Sequence, residues 1–351
     1  MYLVTGGAGF IGSALVHELV RRSLPVVNVD ALTYAANPAS LSDVSAAPCY
    51  HFEQADICDA AALRAIFDRF RPTAVLHLAA ESHVDRSIDT PADFIRTNVV
   101  GAFTLLSEAR RHWESLPDES AQRFRFVHVS TDEVFGALGP TGHFTERSPY
   151  DPTSPYSASK AGADHLVRAW HRTYGLPVII TNSSNNFGPR QFPEKLIPRT
   201  TVNALAGRPV EVYGTGQNVR DWLYVDDHVD ALLAVLDRGR VGETYAIGGG
   251  SERTNLDVVT AVCDLLDGMS AAPDRSPRKQ SIRFVEDRPG HDHRYAIDSG
   301  KISSELGWRP RHSFDSALDA TVRWYVDQRG WWEPLLERGH SAGRLGLGGR
   351  R

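Results

Sequence analysis

The chain opens on Tyr2-Leu3-Val4-Thr5-Gly6-Gly7-Ala8-Gly9-Phe10-Ile11-Gly12. Tyr2–Thr5 reads as a buried strand. Ile11–Arg22 reads as a helix, with Ile11, Leu15 and Leu19 on one face. Between them Gly7-x-Gly9-x-x-Gly12 fits G-x-G-x-x-G, and Gly6 extends the pattern to G-x-x-G-x-x-G. Glycine lets a backbone turn tightly and approach a pyrophosphate, and the following helix offers unpaired N–H groups and the positive end of its dipole. Pro25–Asp30 is a second strand, and Asp30 closes it at the distance expected of a carboxylate that accepts hydrogen bonds from a ribose 2′-OH. Ala31-Leu32-Thr33-Tyr34 follows with no arginine, so NAD is expected rather than its 2′-phosphorylated form.

Working outward, apolar strand-like runs alternate with helical patterns. Tyr50–Asp56, Ala74–Ala79, Phe124–Ser130 and Pro177–Thr181 read as strands. Asp59–Phe70, Pro91–Trp113 and Tyr156–Arg172 read as helices. Short apolar strands separated by helices imply βαβ crossovers and a parallel sheet covered on both faces. From about Ser183 glycine and proline become frequent, and strands (Val210–Tyr213, Ile282–Phe284) mix with a helix (Leu256–Leu266). The expected fold class is α/β: a Rossmann-type doubly wound parallel sheet with a smaller α+β substrate-binding domain. Residues 1–185 are expected to form the NAD-binding domain, with 221–247 returning to it. Residues 186–220 and 248–330 are expected to form the substrate domain. Residues 331–351 are read as a tail, mobile from 339 where glycine and arginine dominate.

Composition narrows the function classes. At 351 residues the chain buries a large core without staples. A net charge of −5 argues against a nucleic-acid binder. No run approaches the ~18 apolar residues that span a bilayer, and the N-terminus has neither the basic region nor the cleavage site of a secretory signal. Cys49, Cys58 and Cys263 are odd in number, and no two have metal-binding spacing. No metal is expected: His77, His83, His128 and His165 show no ligand spacing. A cytoplasmic location is expected.

Two further patterns carry chemistry. Tyr156 and Lys160 are four apart on a helix, hence on one face. An ammonium beside a phenol favours its ionised form, as would a positive nicotinamide ring. Tyr156 is therefore expected to be lowered toward neutrality and to act as a base on a sugar hydroxyl. Thr131-Asp132-Glu133 follows the fifth strand, at the carboxyl end where open α/β sheets bind ligands. Two adjacent carboxyls there can be driven to different pKa values and take opposite acid and base roles.

Together these features resemble the extended short-chain dehydrogenase/reductase superfamily. Ser130–Gly136 (STDEVFG), Ser154–Lys160 (SPYSASK), Asn185–Pro189 (NNFGP), Phe192–Pro198 (FPEKLIP), Arg220-Asp221-Trp222 and Asp287–Asp292 (DRPGHD) resemble its dTDP-glucose 4,6-dehydratase branch, over residues 1 to about 325. The resemblance implies oxidation of a nucleotide-linked glucose at C4, loss of water across C5 and C6, and return of the hydride to C6. It implies Tyr156 as base at the C4 hydroxyl, Thr131 as its partner at O4, Glu133 as base at C5, Asp132 as acid at O6, and Lys160 on the cofactor. Implied cofactor contacts are Gly6, Gly9, Phe10, Ile11, Gly12, Asp30, Leu32, Thr33, Asp56, Ile57, Leu78, Ala79, Ala80, Ser82, Thr97, Tyr156, Lys160 and Asn186. Implied substrate contacts are Ser82, Thr131, Asn185, Lys195, Leu196, Tyr213, Arg220, Asn255, Arg288 and His291. A dTDP-glucose substrate and a homodimer are also implied. The alternatives are a 4-epimerase of the same superfamily, or a dehydratase for another nucleoside diphosphate glucose. Phe135 and Phe187 stand where the family often has tyrosine, and His293 where arginine is frequent; none of these removes an implied acid or base.

Overall fold

The computed structural model describes residues 1–269 and 276–337. Its strands, in chain order, are β1 (Tyr2–Thr5), β2 (Val26–Asp30), β3 (Tyr50–Gln54), β4 (Ala74–His77), β5 (Arg125–Thr131), β6 (Val178–Ser183), β7 (Asn185–Phe187), β8 (Val210–Tyr213), β9 (Val219–Tyr224), β10 (Thr244–Ile247), β11 (Glu252–Thr254) and β12 (Ile282–Val285). Seven of them form one parallel sheet in the order β10-β6-β5-β4-β1-β2-β3. The chain runs outward from β1 to β3, then crosses back to β4 on the other side of β1. That reversal opens a crevice at the carboxyl ends of β1 and β4. Helices cover both faces. Leu15, Val16 and Leu19 of helix Phe10–Arg21 pack on one side with Leu232 and Val235 of helix Val225–Arg238. Leu63, Phe67, Leu105 and Val167 pack on the other.

Local chemistry sets the helix that carries the tyrosine and lysine. Helix Pro155–Tyr174 starts at Ser154, whose Oγ accepts from the Ser157 amide at 3.0 Å while Ser157 Oγ accepts from the Ser154 amide at 3.0 Å. This reciprocal cap satisfies two orphan donors, and Pro155 occupies the first-turn position where no donor is needed. Gly175, with φ +77°, ends the helix. Tyr156 is thereby fixed in the first turn and Lys160 one turn on.

The structure departs from the expected arrangement in three places. Of the segment expected to return to the sheet, only β10 joins it, with helix Val225–Arg238 as its cover. Arg220, Asp221 and Trp222 instead lie on β9, the middle strand of a small sheet, β11-β9-β7. The sequence of a strand does not say which sheet it enters. Likewise Trp331, Trp332 and Leu335, read as part of a tail, belong to helix Arg329–Glu337 and are buried with Phe187, Trp222 and Tyr325. Trp331 Nε1 donates to Ser40 Oγ at 3.1 Å. The expected mobility from residue 339 lies outside the described residues. Thirdly, the long helix expected over Pro91–Trp113 is interrupted by a π-helical stretch, Ile95–Gly101, before continuing as Ala102–Glu114. β8 and β12 pair in parallel as a separate two-stranded sheet.

Candidate active site

One crevice collects the carboxyl ends of the sheet strands. It is lined by Gly6, Gly9, Phe10, Ile11 and Gly12 after β1, Asp30 and Thr33 after β2, and Asp56 and Ile57 after β3. Leu78, Ala79, Ala80 and Ser82 after β4, and Thr97 of the π-helical stretch, form its far wall. Thr131, Asp132, Glu133, Tyr156, Lys160, Asn185, Asn186 and Lys195 complete it. Leu32, Leu196, Tyr213, Arg220, Asn255, Arg288 and His291 lie outside this lining.

The glycine turn is packed against the β4 loop. Gly6 has φ +73°, and a Cβ there would stand 2.7 Å from the Ala79 nitrogen; one on Gly12 would stand 2.1 Å from the Gly6 oxygen. Thr5 Oγ1 accepts from the Leu78 and Ala79 amides, each at 3.2 Å, which ties the two loops. Only glycine fits, and what remains is a backbone cradle at the N-terminus of helix Phe10–Arg21. Asp30 is buried at the end of β2, its carboxylate accepting from the Ala8 amide at 2.9 Å and the Leu32 amide at 2.8 Å. Leu32 thus supports Asp30 through its backbone, at φ +54°. Asp56 accepts from the Cys58 amide and from Arg96, at 2.8 and 2.7 Å. Asn186 is fixed by Ser183, Ser184 and His228, whose Nδ1 lies 2.8 Å from its Oδ1. A cradle that a Cβ would fill, a helix N-terminus and a ribose-height carboxylate are the donor and acceptor set a dinucleotide such as NAD requires.

Beyond it lie the acid–base groups. Asp132 is buried; its Oδ1 accepts from Thr131 Oγ1 at 3.3 Å, and its Oδ2 has no partner. Burial, reinforced by the Glu133 charge, holds the Asp132 carboxyl well above the usual carboxylate range. Burial raises Glu133 too, but Arg288, Lys195 and Arg220 draw it back. The two neighbours therefore differ in degree: both are raised by burial, Asp132 further by the Glu133 charge, while Glu133 faces three cations.

Tyr156 departs from expectation. Burial, followed by the Glu133 charge, raises its phenol above the ordinary value, against a hydrogen bond with Thr131 that lowers it. The Lys160 ammonium points to the Val129 carbonyl at 2.8 Å, and burial lowers it to about 8 against the pull of Asp164. Helical spacing placed phenol and ammonium on one face, but desolvation outweighs their attraction in this state.

Several of the implied substrate contacts are held by protein partners. Lys195 Nζ donates to the Ser82 carbonyl at 2.8 Å. Arg220 donates to the Val219, His293 and Asp292 carbonyls and stacks over Tyr295. His291 Nδ1 lies 2.6 Å from Asp287, and burial lowers the ring to about 4. Arg288 and Tyr213 both bond Asp85. Asn185 Oδ1 is buried without a partner. Leu196 and Asn255 begin helices Leu196–Leu205 and Asn255–Met269.

Sequence reasoning missed the supports beneath these groups. Asn98, on the π-helical stretch, donates to the Glu81 carbonyl at 2.9 Å and to Ser159 Oγ at 2.8 Å, and accepts from the Glu81 amide at 2.9 Å. It locks the β4 loop to the tyrosine helix. Asp164, one turn beyond Lys160, is a buried carboxylate bonded by Ser130, Tyr150 and Asn182 and 3.1 Å from His128. Its i+4 spacing from Lys160 was the one available signal.

A model of the GDP-mannose 4,6 dehydratase family matches residues 3–321. The chain is 55% identical over 352 residues to a dTDP-glucose 4,6-dehydratase of Neisseria meningitidis serogroup B, covering 99% of each. It is 55% identical to that of Salmonella typhimurium, covering 94% of this chain and 93% of the other. Among solved structures it is similar to DesIV, a dTDP-glucose 4,6-dehydratase of Streptomyces venezuelae with NAD and TYD bound: TM-score 0.87, 48% identity, 95% of this chain and 99% of that one. A UDP-glucose 4-epimerase of Thermotoga maritima superposes at TM-score 0.82 but 29% identity, over 93% of this chain and 99% of that one. The chain belongs to the dTDP-glucose 4,6-dehydratases, a branch of the GDP-mannose 4,6-dehydratase family.

Proposed function

We propose that this chain is an NAD-dependent hydro-lyase that converts dTDP-glucose to dTDP-4-keto-6-deoxyglucose and water. The observation that carries the reading is the adjacent pair of carboxyls, Asp132 and Glu133, buried beside Tyr156 in one crevice, with Asp132 held well above the usual carboxylate range and Glu133 facing three cations. A 4-epimerase has no use for such a pair. The relatives that share the whole chain length are dehydratases, and the epimerase neighbour is far more distant.

NAD, when bound, supplies the hydride acceptor at the start and the hydride donor at the end. The glycine cradle would hold its diphosphate and Asp30 its ribose. Lys160, Thr97, Ala80 and Asn186 line its path. Tyr156 accepts the proton of the C4 hydroxyl as C4 becomes a ketone. Its phenol is raised at rest, and the Thr131 hydrogen bond is the influence that favours the phenolate. The ketone acidifies C5–H. Glu133, raised by burial but drawn partly back by the Arg288, Lys195 and Arg220 charges, removes that proton. Asp132 gives its proton to O6, which leaves as water, and C5 is reprotonated as C6 receives the hydride.

Residues 1–185 with 221–247 are proposed to hold the cofactor, and 186–220 with 248–330 the nucleotide sugar. Ser82, Asn185, Lys195, Leu196, Tyr213, Arg220, Asn255, Arg288 and His291 are proposed as its contacts. A homodimer is supported by an apolar strip on neighbouring helices: Ile95, Val100 and Phe103 are 46–48% exposed, and Phe103 packs edge-on to Trp170. Apolar side chains left in water on helices favour a second copy. Three free thiols suit a reducing compartment, and among the described residues no helix is long and apolar enough to cross a membrane; the cytoplasm is proposed.

Substrate deuterated at C4 tests the reaction. The label is expected on the C6 methyl group of the same molecule. Loss to solvent, or retention at C4, refutes the reading, and a product without the alkaline ultraviolet band of a 4-keto sugar favours the epimerase.

A further inference from the structure

Asp85 lies on the short helix Val84–Asp89, just after the β4 loop, and is buried. Its Oδ1 accepts from Arg288 Nη1 at 2.7 Å, and its Oδ2 accepts from the Tyr213 hydroxyl at 3.0 Å. The three residues come from three separate segments: the β4 side of the large sheet, β8, and the loop after β12. Arg288 Nε is buried and has no hydrogen-bond partner, so the end of the guanidinium is anchored while its Nε edge stays open. An unpartnered buried donor on an arginine is costly unless an acceptor arrives, and a phosphate matches a guanidinium edge with two parallel bonds. The other acid felt by Arg288 is Glu133, the base at C5.

We propose that Asp85 is a positioning residue of the nucleotide-sugar cleft: its carboxylate fixes Tyr213 and Arg288 together, keeping the Nε edge of Arg288 open for the substrate's diphosphate. The inference rests on the nucleotide-sugar reading above. It assigns Asp85 no contact with the sugar. Charge alone would make a carboxylate near a diphosphate unfavourable. The two fixed partners give the opposite sign, because an arginine and a tyrosine ordered beforehand cost less to immobilise on binding.

Binding of thymidine diphosphate to the NAD-loaded protein, measured calorimetrically, separates these signs. Asp85→Asn is expected to weaken it about tenfold, the worth of one hydrogen bond to a charged group. KM for dTDP-glucose should rise in step while kcat at saturation stays within about twofold, and Asp85→Glu should restore part of the loss. Tyr213→Phe guards against a folding defect in the Asp85 variants. It removes the Oδ2 bond together with the hydroxyl's hydrogen bond to Arg199, should weaken binding by itself, and should lose the Asp85-dependent part of that effect in the Asp85→Asn background. Unchanged or tighter diphosphate binding by folded Asp85→Asn, or additive losses in the double variant, overturns the proposal. Failure of the unaltered protein to bind thymidine diphosphate at all overturns the nucleotide-sugar reading instead.

Discussion

Replacing Asp132 by asparagine removes a proton and almost nothing else. The carboxyl is buried, one oxygen bonded to Thr131 and the other without a partner, and burial with the Glu133 charge holds it well above the usual carboxylate range. Asparagine is neutral and of the same shape, so Asp132→Asn should leave stability within about 1 kcal/mol of the unaltered protein at neutral pH or raise it, since an exchange of this kind adds no buried charge. The lost function is that of a general acid, worth about 10²–10⁴ in rate, or roughly 3–5 kcal/mol on the barrier to water loss. Oxidation at C4 needs Tyr156 rather than Asp132 and should proceed. Stopped-flow absorbance should therefore show reduced cofactor accumulating on mixing with dTDP-glucose, with the 4-keto-6-deoxy product appearing slowly. Linkage adds a second readout. A carboxyl raised in the fold contributes stability below its unfolded value that is lost as pH rises through its folded value. The variant's melting temperature relative to the unaltered protein should accordingly climb with pH over that window. Elimination at the unaltered rate would refute the acid assignment, and a large stability loss at neutral pH would mean that Asp132 was ionised.

Gly6→Ala forces a side chain at φ +73° against the Ala79 backbone, so it should cost about 1–3 kcal/mol of strain and yield protein purified with little bound NAD, read from its absorbance. Asp164→Asn removes a buried carboxylate from Ser130, Tyr150, Asn182 and His128, and should cost about 3–5 kcal/mol in urea unfolding at neutral pH. Burial raises the Asp164 carboxyl, but the His128 hydrogen bond and the neighbouring charges and donors outweigh it, and the group sits below its ordinary value. Its contribution is present above the unfolded value and lost as pH falls, so the deficit should shrink in acid. Phe103→Asp places a charge on the exposed apolar strip, and sedimentation should report monomers, with dimers expected of the unaltered protein on the proposed homodimer.

Much of this was legible because it is local. Gly6, Gly9 and Gly12, the strand endings at Asp30 and Ala79, and the spacing of Tyr156 from Lys160 are written within a few residues, and backbone sterics translate them directly into a turn, a sheet edge and a helix face. What was missed depends on partners far along the chain. Asp85 meets residues 128 and 203 positions away, and no periodicity announces such a meeting. Val219–Tyr224 carries no apolar/polar alternation, and its sheet was decided by Asn185–Phe187 and Glu252–Thr254, to which it pairs. The electrostatics of Tyr156 failed for a similar reason: spacing gives proximity to Lys160, while burial and the Val129 carbonyl, both products of the assembled fold, set the balance.

The bond between the Trp331 indole and the Ser40 hydroxyl joins positions 291 apart. Ser40 lies in the connection that follows the Asp30 strand, so that connection emerges from the ribosome long before the helix that buttresses it. At ~5–20 residues per second the interval is about 15–60 s. A nascent chain can thus assemble its glycine turn early, yet the neighbouring wall stays without its indole partner until residue 331 has been made. A stop that removes Trp331 should therefore impair retention of the dinucleotide although every residue that lines its crevice has already been made.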